Sequence, residues 1–100
     1  MPSPHYEIRA EVWVHPGIAG WHFITLDKRS SAEITSKYGK HRRGWGSLPV
    51  VVTVGATTWR TSIFPDKTSG GYVLPLKADV RKKENIVEGK RILLSLNITP

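Results

Sequence analysis

Lys37, Lys40, His41, Arg42 and Arg43 form a basic run that ends on Gly44-Trp45-Gly46-Ser47. Cations beside an accessible aromatic suit phosphate contacts combined with base stacking. Two glycines around a tryptophan let the backbone approach a ligand while the indole stacks on it. Against this stands a structural reading, in which Trp45 plugs an open end of a barrel, the glycines satisfy turn dihedrals and the cations form a solvated face. Arg81, Lys82 and Lys83 make a second basic run. Lys67 lies in a third feature, the loop-like Pro65-Asp66-Lys67-Thr68-Ser69-Gly70-Gly71. This loop lacks the G-x-x-x-x-G-K-S/T spacing of a nucleotide-binding phosphate loop. It serves either as a backbone nest for an anion or as a plain hairpin connection.

The residues for catalysis are few. His5, His15, His22 and His41 have no metal-ligand spacing. There is no cysteine, hence no thiolate site and no disulfide framework. No serine stands in a G-x-S-x-G elbow. Asp27, Asp66 and Asp79 fall where caps and turns are expected, which explains them without chemistry. The reading is therefore a non-enzymatic protein without metal or cofactor.

One hundred residues make one domain, able to bury roughly two-thirds of its unfolded surface. Fifteen basic residues against eight acidic ones give a net charge of +7. That balance favours polyanions or phosphate ligands as partners. No stretch approaches the ~18 apolar residues of a membrane span, and the N-terminus has no apolar leader region. A cytoplasmic location without a membrane partner is expected.

These residues need elements to position them. Residues 1–5 read as a frayed terminus and residues 6–98 as a single domain. Tyr6 to Val14 alternates, with Tyr6, Ile8, Ala10, Val12 and Val14 on one face. His15 to Gly20 is the hairpin connection to a second strand, Trp21 to Leu26. Ser30 and Glu33 have capping-box spacing ahead of a short helix, Ala32 to Tyr38, stopped by Gly39. Leu48 to Val54 is almost continuously apolar and reads as the strand buried on both faces. Thr57 to Phe64 pairs with it, and Trp59, Thr61 and Ile63 share a face, so Trp59 should be more buried than Trp13. Tyr72 to Leu76 is the fifth strand, Asp79 the cap of a basic helix from Val80 to Asn85, and Arg91 to Ile98 the last strand. Six strands and two short helices require a closed or nearly closed sheet, since an open one would leave edges and a face uncovered.

The segment from Gly20 to Gly39 is echoed from Gly70 to Gly89, with Phe23-Ile24-Thr25-Leu26 over Val73-Leu74-Pro75-Leu76. His15-Pro16 and Phe64-Pro65 precede the two copies as corners. The chain reads as one β-β-α-β unit written twice. The two copies would pack about a pseudo-two-fold axis, so that a monomer suffices.

The corner from Tyr72 to Leu96 resembles the swapped-hairpin DNA-binding half-domains of the AbrB, MazE and MraZ type. A longer resemblance runs over about residues 6 to 98. GWGSLPV from Gly44, TTWRTSIFPD from Thr57 and GGYVLPLKADVRK from Gly70 carry it, and EVWVHPGIAGWHFITL from Glu11 fits as well. By these motifs the chain is similar to a bacterial and archaeal family known as domain of unknown function nineteen-oh-five. That resemblance implies a double-split β-barrel and no assigned activity. The fold class expected is thus all-β with two short helices, a barrel of about six strands.

Two ways of binding follow. In the first, nucleic acid contacts two basic helix corners, Lys40, Arg42 and Arg43 on one and Arg81, Lys82 and Lys83 on the other. In the second, a small anionic ligand sits in a pocket around the GWGS motif. Trp21, Trp45, Trp59 and Tyr72 would line that pocket, with Arg43 or Lys67 on the anionic group. A module that only engages another protein chain is the third reading, which the sequence leaves open.

Overall fold

The computed structural model describes residues 5–18 and 20–99. Residues 1–4 of the expected frayed terminus lie outside the described residues, and His5 already stands in a strand opposite Asn97. The elements in order are β1 (His5–Glu11), β2 (Trp13–Val14), β3 (His22–Thr25), α1 (Lys28–Tyr38), β4 (Leu48–Val54), β5 (Thr57–Asp66), β6 (Gly71–Leu76), α2 (Ala78–Lys83) and β7 (Arg91–Ile98). Single 3-10 turns cover Gly39–His41 and Gly44–Gly46.

All pairs are antiparallel, in the order β1-β7-β4-β5-β6-β3-β2. The two ends of this order are one stretch of chain. β1 and β2 are separated only by Val12, so the segment lies against β7 with its first half and against β3 with its second. At the switch, the Val12 N–H donates to the Lys90 carbonyl at 2.9 Å and its own carbonyl accepts from the Gly89 N–H at 2.8 Å. The Val12 side chain is buried. The sheet therefore curls back on itself, which removes free edges in the way a barrel does. The break at Val12 also explains why seven strands are assigned where six were expected.

Inward and outward residues alternate along every long strand. β4 is not buried on both faces: Leu48, Val50, Val52 and Val54 are buried while Pro49, Val51 and Thr53 are half-buried. A single curled sheet has one inside, so a continuous apolar run is divided between core and surface. On β7, Ile92, Leu94, Leu96 and Ile98 point inward as expected, and Leu93 is exposed. Trp13 and Trp59 are both half-buried. Trp59 packs against the core, yet its indole N–H is buried without an acceptor.

The segments matched in sequence are neighbours, with Phe23 opposite Pro75, Ile24 opposite Leu74 and Thr25 opposite Val73. The pairing pattern is unchanged when the β1–β2 segment is exchanged with β5, β3 with β6, and β4 with β7. Phe64-Pro65 is not a corner, because β5 continues through it and Pro65 lies opposite Tyr72. Pairing of β5 with β4 has already ended at Leu48 and Ile63, so the missing proline N–H breaks no ladder there.

Because β3 and β6 are antiparallel, the helices that follow them leave the pair at opposite ends. α1 sends Ile34 into the core, while Val80 of α2 and the following Ile86 are buried in it too. The start of α1 differs from expectation. Asp27, not Ser30, is the N-cap, and its carboxylate accepts from the Ser30 N–H at 3.0 Å. Asp79 does not cap α2 either. Lys77 holds the cap position, and Asp79 lies in the first turn, where a carboxylate still favours the helix dipole. Gly39 adopts ordinary helical angles, so the chain tightens into the 3-10 turn instead of stopping.

Burial opposes ionisation of Asp27, but the hydrogen bonds from Ser30 outweigh it and hold the carboxyl below its ordinary value of 3.8. A lowered native pKa stabilises the fold at pH above the unfolded value, and this stabilisation is lost as pH falls through the native one. Asp27→Ala is expected to cost about 1 kcal/mol, and Asp27→Asn much less, because asparagine caps nearly as well. Urea melts at neutral pH and below pH 3.8 check this: the wild type should lose its advantage over Asp27→Asn at the acid end.

Candidate ligand-binding cleft

After α1 the chain turns tightly. The Arg43 N–H donates to the Ser47 carbonyl at 2.7 Å, and the Gly46 N–H to the Arg43 carbonyl at 2.8 Å. The Ser47 hydroxyl adds a bond to the Gly44 carbonyl at 3.0 Å. This bracing holds Trp45 at a φ of 63°, a left-handed conformation that L-residues adopt at a cost. Trp45 is 93% exposed, so it does not plug the barrel. Gly46, at a φ of 73°, lies on Pro65 and the stem of Arg42; a Cβ there would be 2.8 Å from Pro65 Cγ. The turn is thereby pinned beside the hairpin that joins β5 to β6.

Arg42 is fixed from below. Its Nη2 donates to the Tyr72 hydroxyl at 2.7 Å and to Thr35 Oγ1 at 3.2 Å, and its Nε donates to the Tyr72 hydroxyl at 3.2 Å. The guanidinium carbon stands 5.6 Å from the Tyr72 ring centre, a cation–π distance. Tyr72 is buried and its hydroxyl is 2.9 Å from Thr35 Oγ1. Both hydroxyls accept from Arg42, and one of the two donates to the other. Among the described residues the ion pairs are Lys37 with Glu33 and His5 with Glu7. Among the described residues Arg42 thus has only neutral oxygen partners.

A cleft of about 210 Å³ opens above this group, bounded by Thr35, Arg42, Asp66, Lys67, Gly71 and Tyr72. Asp66 organises the loop beside it, with its carboxylate accepting from the Ser69 N–H at 3.1 Å and its carbonyl from the Gly70 N–H at 2.9 Å. Thr35, Gly70 and Gly71 also border a larger cleft of about 940 Å³ along α1. Gly71 faces α1 so closely that a side chain there would collide with the Ser31 hydroxyl. Gly71→Ala is expected to destabilise the protein by about 1–3 kcal/mol through overpacking, read as a lower urea midpoint. An unchanged midpoint would mean that α1 does not pack on β6.

The second basic run lies elsewhere. Arg81 donates through Nε to the Leu76 carbonyl at 3.1 Å and through Nη2 to the Gly20 carbonyl at 3.4 Å. It ties α2 to the β2–β3 hairpin and lines a separate cleft with Trp21. Lys82 and Lys83 are exposed in the last turn of α2. Lys40 and Arg43 are exposed around the 3-10 turns. The structure thus brings Arg42 and Lys67 to one cleft, sets Trp45 beside it, and leaves Arg81, Lys82 and Lys83 with the helix at the other end of the β3–β6 pair. The four aromatic side chains proposed for one pocket are dispersed: Trp59 on the core, Trp21 beside α2, Trp45 in solvent, and only Tyr72 under the cleft. Thr35 and Ser31 escaped sequence reasoning, because a hydroxyl inside a helix carries no signal until its neighbours are known.

No helix among the described residues is long and apolar enough to cross a membrane. Compared with protein families, residues 9–96 match the model described as Domain of unknown function (DUF1905). None of the curated proteins matches the chain.

Proposed function

The chain belongs to this family of unknown function, and we propose from its geometry that it is a non-enzymatic binding module for a small polar anion. The observation that carries this reading is Arg42, oriented by Tyr72 and Thr35 at a cleft that it shares with Lys67 and without a carboxylate partner among the described residues. An arginine fork held by neutral oxygens is prepared for a phosphate, sulfate or carboxylate. The adjacent backbone of Gly70 and Gly71 lets an anion approach closely. A binder is favoured over a catalyst because the carboxylates beside the clefts are engaged in local structure, Asp27 with Ser30 and Asp66 with Ser69.

An NMR titration with inorganic phosphate at constant ionic strength tests this. Saturable shifts are expected for the amides of Thr35, Lys67, Gly70 and Gly71. Their absence, or shifts confined to the Arg81 end, would remove the reading.

One observation favours a second reading, single-stranded nucleic acid on the turn that presents Trp45. The indole is 93% exposed, with exposed Lys40 and Arg43 nearby in sequence. Stacking one base on it would contribute about 1–3 kcal/mol. Affinity would fall with salt by a log–log slope of roughly −0.7 per phosphate, and Trp45→Ala would weaken binding without altering the melting temperature. A duplex bridging both basic corners is disfavoured, because the helices leave the sheet at opposite ends and Arg81 is occupied by backbone carbonyls.

A further inference from the structure

The anion cleft does not end at Gly71. Across Thr35, Gly70 and Gly71 it continues into the cleft of about 940 Å³ between α1 and the Asp66–Gly71 connection. Six hydroxyl side chains line that cleft: Thr25, Ser31, Thr35, Ser36, Thr68 and Ser69. Two of these already accept a bond from the chain, Thr25 from the Trp13 indole and Ser69 from the Gly71 N–H. Their own protons remain to donate. Ser31 is 4% exposed, and its hydroxyl is packed against Gly71 without a partner among the described residues, so the accessible wall is made by the other five. The lining contains no aromatic residue on which a flat base could stack, and an apolar ligand would leave the hydroxyls unpaired. Lys28 is its one cation, so a second anionic group is not required. Beyond Thr25, Thr68 and Ser69 a third cleft of about 480 Å³ adds Trp13 and His15. Aromatic faces of this kind suit the C–H face of a sugar ring.

On the anion reading above, we infer that the ligand is a phosphorylated polyol or sugar. Its phosphate lies on Arg42 and Lys67, and its hydroxyl groups run along α1 toward Trp13. Each ligand hydroxyl both donates and accepts, which matches a wall of serines and threonines better than any ligand of one polarity does. Thr35 is the junction: it braces Arg42 through its oxygen and borders both clefts.

The test compares inorganic phosphate, glucose, glucose 6-phosphate, ribose 5-phosphate and glycerol 3-phosphate at one ionic strength, by calorimetry and NMR shifts. At least one of the three organic phosphates is expected to bind roughly tenfold tighter than phosphate, the gain from one or two additional net hydrogen bonds. It should also shift the amides of Ser36, Thr68 and Ser69. Ser36 and Thr68 are exposed, so the Ser36→Ala, Thr68→Val double variant should fold as the parent does. It is expected to reduce the organic phosphate to the affinity of phosphate while leaving phosphate itself unaffected. Phosphate binding with no gain for any organic phosphate would overturn the inference and leave the anion site standing. Equal loss of phosphate and organic phosphate in the double variant would also overturn it. No binding of phosphate at all would remove both.

Discussion

Replacing Ile34 with alanine is expected to cost about 2–5 kcal/mol of stability. Ile34 is fully buried and is the one large apolar residue that α1 buries, the other buried position being Ser31. Truncation removes transfer free energy and leaves a cavity where the helix meets the barrel. In a domain of this size each kcal/mol shifts the melting temperature by about 4–8 °C, so the loss is large in a scan. Ile34→Val should cost only about 0.5–1.5 kcal/mol, and Leu93→Ala, at a residue 50% exposed, should cost less still. The substitution reaches the candidate site as well, because Thr35 is the next residue and braces Arg42. Phosphate affinity should fall in Ile34→Ala even well below its melting temperature. A cost under about 1 kcal/mol would place α1 outside the core, contrary to the burial seen.

Arg42→Gln is expected to weaken phosphate binding roughly 10- to 150-fold, the equivalent of one charged hydrogen bond worth about 1.5–3 kcal/mol. Arg42→Lys should retain part of the affinity, since lysine keeps the charge but loses the fork that spans Tyr72 and Thr35. Neutralising Lys67, exposed at the rim, should matter less. Arg42→Gln also takes donors from the Tyr72 hydroxyl, which lies at a side chain only 1% exposed. A stability loss of about 1–3 kcal/mol should accompany it. Tyr72→Phe separates the two effects: the charge stays but its support is lost, so affinity should fall with the guanidinium still present. Binding of phosphate to Arg42→Gln at the parent's affinity would refute the site.

The pattern of the strands and their inward faces was readable because a period of two is written locally. Ile92, Leu94, Leu96 and Ile98 could have pointed together only one way. The order of elements, two strands, a helix and a strand twice over, is the one the sequence suggested, and the edges and face that an open sheet would leave uncovered called for a curled one. Caps were less legible: Asp27 and Ser30 are both good capping residues, and the choice falls to whichever backbone angle the preceding strand imposes. The apparent double burial of Leu48–Val54 failed for a tertiary reason, since a sheet closed on itself has a single interior. Composition placed positive charge near residues 40–43 and 81–83, but it could not say how each cation is held. That depends on carbonyls and hydroxyls distant in sequence, Gly20 for Arg81 and Tyr72 for Arg42. The cleft itself joins α1, the turn before β4 and the β5–β6 connection, and only closure of the barrel brings these three together. A hydroxyl such as that of Thr35 acquires a role there because packing sets it against Arg42 and Tyr72.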